Sequence, residues 1–205
     1  MLVATDDERI AEAAEGFGAR VSMTSPDHVS GTDRIAEAVA SESDCTHVIN
    51  IQGDEPLIDP ELIDTLVEQM ADSAEIPMIT AAVPAKPGED FQNPNIVKVV
   101  LNKRGEALYF SRSVIPHTQP ESPGAPHYRH KGIYGYTKEF LLQFVRWAPS
   151  PLELAERLEQ LRALENGAMI RVVLTDDDSI GVDTPEQADQ IEQLLLANNR
   201  SRSEH

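Results

Sequence analysis

The sequence predicts an α/β fold, with a mostly parallel sheet covered by helices and a β-hairpin lobe inserted late in the chain. Three observations predict it. β-Branched runs of strand length recur at 46–51 ("THVINI"), 78–83 ("MITAAV") and 169–175 ("MIRVVLT"). Between them lie segments of helical periodicity that open on capping residues, the alternation from which sheets covered by helices are built. Two further strand-like runs in "NIVKVVLNKRGEALYFSRS" meet at Asn102-Lys103-Arg104-Gly105, a hairpin signal.

In chain order, "LVA" at 2–4 reads as the end of a strand, after which Thr5 opens a helix in "TDDERIAEAAEGFG" with Glu8 closing a capping box. Ser30 caps a second helix, "SGTDRIAEAVA", which leads directly to the strand at 46–51. Asp59-Pro60 starts a third helix through "ELIDTLVEQM", followed by the strand at 78–83. From residue 84 a Pro-rich passage enters the hairpin. "APHYRHKGIYGYTKEFLLQFV" then supplies a strand around Gly132 to Tyr136 and a helix. Residues 84–145 are expected to form a lobe set against the sheet, serving substrate binding and dimerisation, within one domain spanning 1–205. Ser150-Pro151 with Glu153 caps a single helix ending near Gly167. After the strand at 169–175, "DDDS" makes a turn, and "DTPEQADQIEQLLL" is a helix with Thr184 as N-cap, Pro185 at its first position and Gln187 closing the box.

Charge and cysteine usage narrow the class. Seventeen basic against 35 acidic residues leave a net charge of −18, which opposes sequence-independent binding to nucleic acid or to an anionic membrane surface. The lone Cys45 can form no intramolecular disulfide, no secretory pattern opens the chain, and no apolar run approaches the ~20 residues of a membrane span. A cytoplasmic protein is expected.

The candidate site residues follow from the strand ends. In open α/β sheets ligands bind beyond the carboxyl ends of the strands, where Asp54 and Glu55 of "INIQGDEPLI" and Asp183 of "IGVDTPE" would lie. Two carboxylates so placed can hold Mg²⁺ together with substrate phosphates; the alternative is that each caps a turn. "SGTDR" at 30–34 presents hydroxyls and an arginine at a helix start that attracts anions, or forms an ordinary cap. Arg112 stands at the end of a hairpin strand, able to clamp a carboxylate or merely to be a solvated edge residue. His127 and His130 have no convincing third ligand for zinc, and Glu159 with Gln160 adjoin a leucine stripe that reads equally as a solvated helix face.

Taken together, "VATDDERI", "SGTDRIAE", "INIQGDEPLI", "LYFSRSVIP", "HKGIYGY", "LEQLRALENG" and "IGVDTPEQ" resemble, in order and spacing, the 3-deoxy-manno-octulosonate (KDO) cytidylyltransferase family. The resemblance implies a Rossmann-like nucleotidyltransferase sheet and a homodimer. It implies transfer of CMP from CTP to KDO with Mg²⁺, for lipopolysaccharide assembly. It assigns Asp54 and Asp183 as metal carboxylates, and Ser30, Gly31, Thr32, Asp33, Arg34 and Gln52 as the nucleotide pocket. Arg112, His130, Tyr134, Glu159 and Gln160 fall to the sugar acid, with Arg112, Asp54 and Asp183 as the catalytic set. In the family pattern a strand, a basic loop resembling "IPARxxSxRLPGKPL" and a helix precede the counterpart of "LVATDDERI". These 205 residues are therefore expected to be an amino-terminally incomplete domain with weakened CTP binding and turnover. A related synthetase for another sugar acid, such as sialic acid, and a non-catalytic sugar-acid-binding remnant are the alternatives.

Overall fold

Capping chemistry sets the helix starts in the computed structural model, which describes residues 1–193 apart from 74, 87, 122–123, 180, 183–187 and 190. The elements are β1 (Leu2–Thr5), α1 (Glu8–Gly16), β2 (Arg20–Met23), α2 (Gly31–Ala40), β3 (His47–Asn50), α3 (Pro60–Ala71) and β4 (Met78–Pro84). There follow β5 (Lys98–Leu101), β6 (Ala107–Ser111), β7 (Tyr128–Thr137), α4 (Lys138–Phe144), α5 (Pro151–Glu156), α6 (Gln160–Glu165) and β8 (Ile170–Leu174). Ser30, Asp59 and Thr137 each accept a first-turn backbone N–H, as N-caps do. The first cap is Asp7 instead of the expected Thr5: Thr5 remains in β1, and its hydroxyl accepts the Asp7 N–H at 3.1 Å. The expected N-cap Thr184 lies outside the described residues, although residues 188–189 and 191–193 are helical and Ile191 is buried.

β1 and β2 form a parallel pair of their own, and β2 was not foreseen. The larger sheet has the order β6-β5-β7-β4-β8, with β3 also on β7. β4 takes one whole edge of β7, whereas the other edge is shared: β5 pairs with Tyr128 and Arg129, and β3 pairs with residues from Tyr134 to Thr137. β3, β4, β5 and β8 therefore run one way and β6 and β7 the other. The expectation of a mostly parallel sheet holds for strand direction but not for pairing, since β4–β8 is the only parallel pair found in this sheet among the described residues. The reason is topological. β7 returns from the hairpin through a loop, and only a crossover helix would have forced it parallel. The hairpin of the 84–145 segment, expected as a lobe set against the sheet, continues the same sheet through β7.

Cores form on both sheet faces, and β4 serves both, as its run of six consecutive buried residues requires. Met78 and Ala82 join Phe110, Tyr136, Phe140, Phe144 and Leu161 on one face, while Ile79 and Ala81 join Leu62, Leu66, Met70 and Ile133 on the other. Gly135 lets α3 close on β7. A Cβ there would lie 2.6 Å from Ile79 Cγ2, 2.7 Å from Met70 Sδ and 2.8 Å from Ile49 Cδ1.

The helix expected from Ser150 to Gly167 is two short ones. Arg157, with φ +54, takes the left-handed conformation that ends α5, and α6 begins afresh at Gln160. No helix among the described residues is long and apolar enough to cross a membrane.

Candidate active site

Because β3, β4 and β8 share a direction, their carboxyl ends open onto one edge, where a ligand crevice is expected. β3 ends at the buried Asn50, and the chain then turns through Gln52 to Glu55, whose N–H donates to the Gln52 carbonyl at 3.1 Å. After β8 the chain comes back to this turn: the Val182 N–H donates to the Asp54 carbonyl at 2.7 Å. A Cβ on Gly181 would stand only 3.2 Å from that same carbonyl. The "GDEP" and "IGVD" motifs, 128 residues apart from Asp54 to Val182, are thus neighbours in space. Asp183, the next residue, lies outside the described residues. Asp54 itself is exposed, and its carboxylate has no hydrogen-bond or ion-pair partner among the described residues. No cluster of three or more His, Cys, Asp or Glu side chains suited to a metal occurs among those residues.

α2 packs against β1 and β3. Ser30 accepts the Asp33 N–H at 3.1 Å and donates its hydroxyl proton to the Asp33 carboxylate at 2.9 Å, so both side chains serve the cap. Arg34 is braced by Thr24 Oγ1 at 2.7 Å and Asp6 at 3.2 Å. The N–H groups of Gly31 and Thr32 belong to the first turn, which has no intrahelical acceptors to offer them. Thr32 Oγ1 donates to Glu159 Oε2, joining the expected nucleotide side to the expected sugar side.

β7 carries a row of polar rings. His130, Tyr134 and Tyr136 follow one another with centroid separations of 5.4 and 6.1 Å, and Asn50 pairs with Tyr134 in the sheet. Burial pushes both tyrosine hydroxyls up, and the Glu159 charge adds to it, so both remain neutral phenols. Thr80 Oγ1 donates to the Ile133 carbonyl at 2.7 Å and, with its one proton spent, accepts Nε2–H of His130 at 2.9 Å. Burial lowers the His130 pKa to about 3. The folded state therefore favours the neutral ring; its contribution to stability is complete above the unfolded value of about 6.5 and is lost as pH falls toward 3. The His130 imidazole resonances are expected to stay in the neutral form from about pH 8 down to about pH 5, where a free histidine would titrate. An NMR midpoint above pH 5 for this ring would contradict the assignment.

Arg112 lies at the end of β6, as expected, but its guanidinium is already engaged. Nε donates to the Glu156 carbonyl at 2.8 Å, Nη1 to the Pro94 carbonyl at 3.0 Å and Nη2 to the Arg157 carbonyl at 3.5 Å. Two of these acceptors are the carbonyls freed where α5 ends, so Arg112 acts as a cap that holds the break open. Three of its five N–H groups are taken, which leaves one on each terminal nitrogen for a substrate carboxylate. The break matters for the site because it places Glu159 and Gln160 at the start of α6. Gln160 is 3 % exposed, and its Nε2 has no hydrogen-bond partner among the described residues. Interiors rarely leave a buried amide donor unused, which makes this group a candidate donor to a ligand oxygen.

Two charged residues at the site escaped sequence reading. Lys131, buried in β7, reaches the Glu55 carboxylate, and Lys98, buried in β5, donates to the carbonyls of Asn93, Ile96 and Arg112. The available signal was a lysine inside an apolar strand run, in "NIVKVV" and "HKGIYGY".

A profile of the cytidylyltransferase family matches residues 1–173. The 3-deoxy-manno-octulosonate cytidylyltransferase of Geobacter metallireducens is 49% identical over 205 aligned positions, covering 95% of this chain and 80% of that protein. The protein of the same name from Syntrophotalea carbinolica is 50% identical, covering 95% of this chain and 81% of its own length. Among solved structures, a CMP:2-keto-3-deoxy-manno-octonic acid synthetase complexed with CTP superposes with a TM-score of 0.90 at 38% identity, over 96% of this chain and 80% of the other. A 4-diphosphocytidyl-2C-methyl-D-erythritol synthase from Anaerococcus prevotii matches with a TM-score of 0.58 at 12% identity, a likeness of fold alone.

Proposed function

The chain belongs to the cytidylyltransferase family, among the 3-deoxy-manno-octulosonate cytidylyltransferases, and from that premise we propose how its residues divide the reaction. It is a CTP-dependent nucleotidyltransferase that transfers CMP to KDO, giving CMP-KDO and pyrophosphate.

The observation that carries the division of labour is the bond from Val182 N–H to the Asp54 carbonyl, which brings the two carboxylate motifs to one place. Asp54 and Asp183 are the residues that hold Mg²⁺. The fit is chemical: the exposed carboxylate of Asp54, without a partner among the described residues, is a hard oxygen donor after a strand end, the kind of ligand Mg²⁺ shares with phosphates. The bound ion would supply screening of the triphosphate charge, without which an oxygen nucleophile is repelled. The start of α2, with Ser30, Gly31, Thr32, Asp33 and Arg34, and Gln52 beyond β3, bind the nucleotide. Gln160, Glu159, Tyr134, His130 and Arg112 bind KDO and orient its anomeric hydroxyl toward the α-phosphate, from which pyrophosphate leaves. The neutral His130 and Tyr134 suit hydrogen bonding to sugar hydroxyls more than charge pairing. A cytoplasmic homodimer that feeds lipopolysaccharide assembly completes the reading, on the strength of the family resemblance.

Pyrophosphate release tests the proposal against its nearest rival. With CTP and Mg²⁺, KDO should support turnover and sialic acid should not; the reverse preference would replace KDO as the acceptor, and no release with either would leave a binding protein. Within that assay Arg112→Lys is expected to raise the KDO concentration for half-maximal rate by about tenfold, the effect of losing about 1.4 kcal/mol of charge-assisted bonding, with a smaller change for CTP. Lysine reproduces neither the planar fork nor the cap on α5. Equal shifts for both substrates would remove Arg112 from the sugar side.

A further inference from the structure

We propose that Lys131 is a positioning residue that fixes the Asp54 loop against the returning chain at 177–179 and 181–182, and so sets the geometry in which Asp54 meets the metal. The inference rests on the assignment of Asp54 as a metal carboxylate.

Lys131 springs from the middle of β7, and its side chain is 2% exposed. Its Nζ lies 2.7 Å from Ser179 Oγ, 3.1 Å from the Ser179 carbonyl, 3.3 Å from Glu55 Oε2 and 3.4 Å from Asp177 Oδ2. Glu55 is the residue after Asp54, and Asp177 and Ser179 belong to the run that ends at Val182. One ammonium thus ties together three segments that are remote in sequence. Asp177 extends the tie: its carboxylate accepts the Ser179 N–H at 2.9 Å and the Asp59 N–H at 3.2 Å, the latter at the start of α3. Desolvation would raise Asp177, but these bonds and the Lys131 charge more than offset it and hold it ionised. The Val182–Asp54 bond at 2.7 Å then sits at the far end of a clamp whose near end is Lys131.

A lysine sealed among two carboxylates is a poor choice for stability alone, because desolvating three charges offsets much of their attraction. Its placement makes sense as orientation. Groups that orient a metal ligand from behind typically change metal affinity by about 10- to 100-fold when removed. Lys131 touches no reacting atom, so it is not a catalytic residue.

The test is Mn²⁺ binding to the CTP complex without KDO, followed by the EPR signal of free Mn²⁺, in Lys131→Met, Ser179→Ala and Asp54→Asn chains at equal concentrations of folded protein. Lys131→Met should weaken Mn²⁺ by about tenfold and raise the Mg²⁺ needed for half-maximal turnover in parallel, with the KDO requirement unchanged. Ser179→Ala, which keeps all three charges, should shift both in the same direction by about threefold and carries the test if Lys131→Met does not fold. Metal affinity within about twofold of the parent in the folded variants would overturn the inference, since a purely structural lysine alters how much protein folds and not how well the folded part binds metal. Asp54→Asn separates the two levels. If it weakens Mn²⁺ and the other two do not, Lys131 alone is misassigned; if it has no effect, the metal assignment falls and the inference with it.

Discussion

Asp54→Asn is expected to lower CMP-KDO formation by about 100-fold or more while leaving the fold intact, and Asp183→Asn to do the same. The amide is a poorer ligand for Mg²⁺ and carries no charge, and a metal's stabilisation of the reacting phosphate amounts to several kcal/mol, of which a loss of about 2.7 kcal/mol is already 100-fold. The fold should survive for a reason visible at Asp54. Its side chain is exposed and bonds to nothing described, whereas the contact that holds the loop is its main-chain carbonyl, which the substitution keeps. Thermal unfolding should therefore match the parent, and the deficit should be largest at limiting Mg²⁺. Near-parental rates in both variants under that condition would remove the carboxylates from the metal.

What made Asp54 legible was position: a strand run followed at once by acid and then by a helix cap, an arrangement that local sequence fully encodes. The same is true of Ser30, Asp59 and Thr137, whose caps need only residues three or fewer places away. The residues that were missed depend on contacts across the chain. The break between α5 and α6 falls inside "AERLEQLRALENG", a stretch of good helix formers, and it is held open by an arginine 45 residues earlier. Without that brace in view, one continuous helix is the natural reading, and Glu159 and Gln160 fall on a solvated face. Likewise the polarity of β7 is fixed by a loop connection, which leaves no trace in strand propensity. Lys98 and Lys131 look like solvent-facing strand positions until their acceptors are in place, for Lys98 the carbonyls of Asn93, Ile96 and Arg112 and for Lys131 loops far along the chain.

The second large effect concerns stability. Arg162→Leu is expected to destabilise the fold by about 3 kcal/mol or more, because it strands a buried carboxylate. Arg162 Nε and Nη2 hold the two oxygens of Glu153 at 2.8 and 2.5 Å, with side chains 9% and 11% exposed, and its guanidinium lies 4.8 Å from the centre of the Phe144 ring. Glu153 also accepts the Ser150 N–H at 3.0 Å, so it cannot turn to solvent without opening the cap of α5. Desolvation acts to raise the Glu153 pKa, but the bonds from Arg162 and Ser150 prevail and lower it. In the parent this pair thus stabilises the fold at pH above the unfolded carboxyl value of about 4.3, and the contribution is lost as pH falls through the lower folded value. In the variant the sign reverses: Glu153, buried and unpaired, favours its proton, and acid relieves the penalty. The difference between parent and variant in urea unfolding should accordingly shrink as pH drops from about 7 to about 4. A double variant, Arg162→Leu with Glu153→Leu, should recover most of the loss, since an apolar pair of similar size can replace a buried ion pair with little change. Its activity should not recover with its stability. Arg162 Nη2 also lies 3.4 Å from Glu159 Oε1, the carboxylate whose other oxygen accepts from Thr32, and no leucine can hold that group, proposed above to bind KDO, in place. A double variant that regains both stability and the parental KDO requirement would show that Glu159 needs no such support.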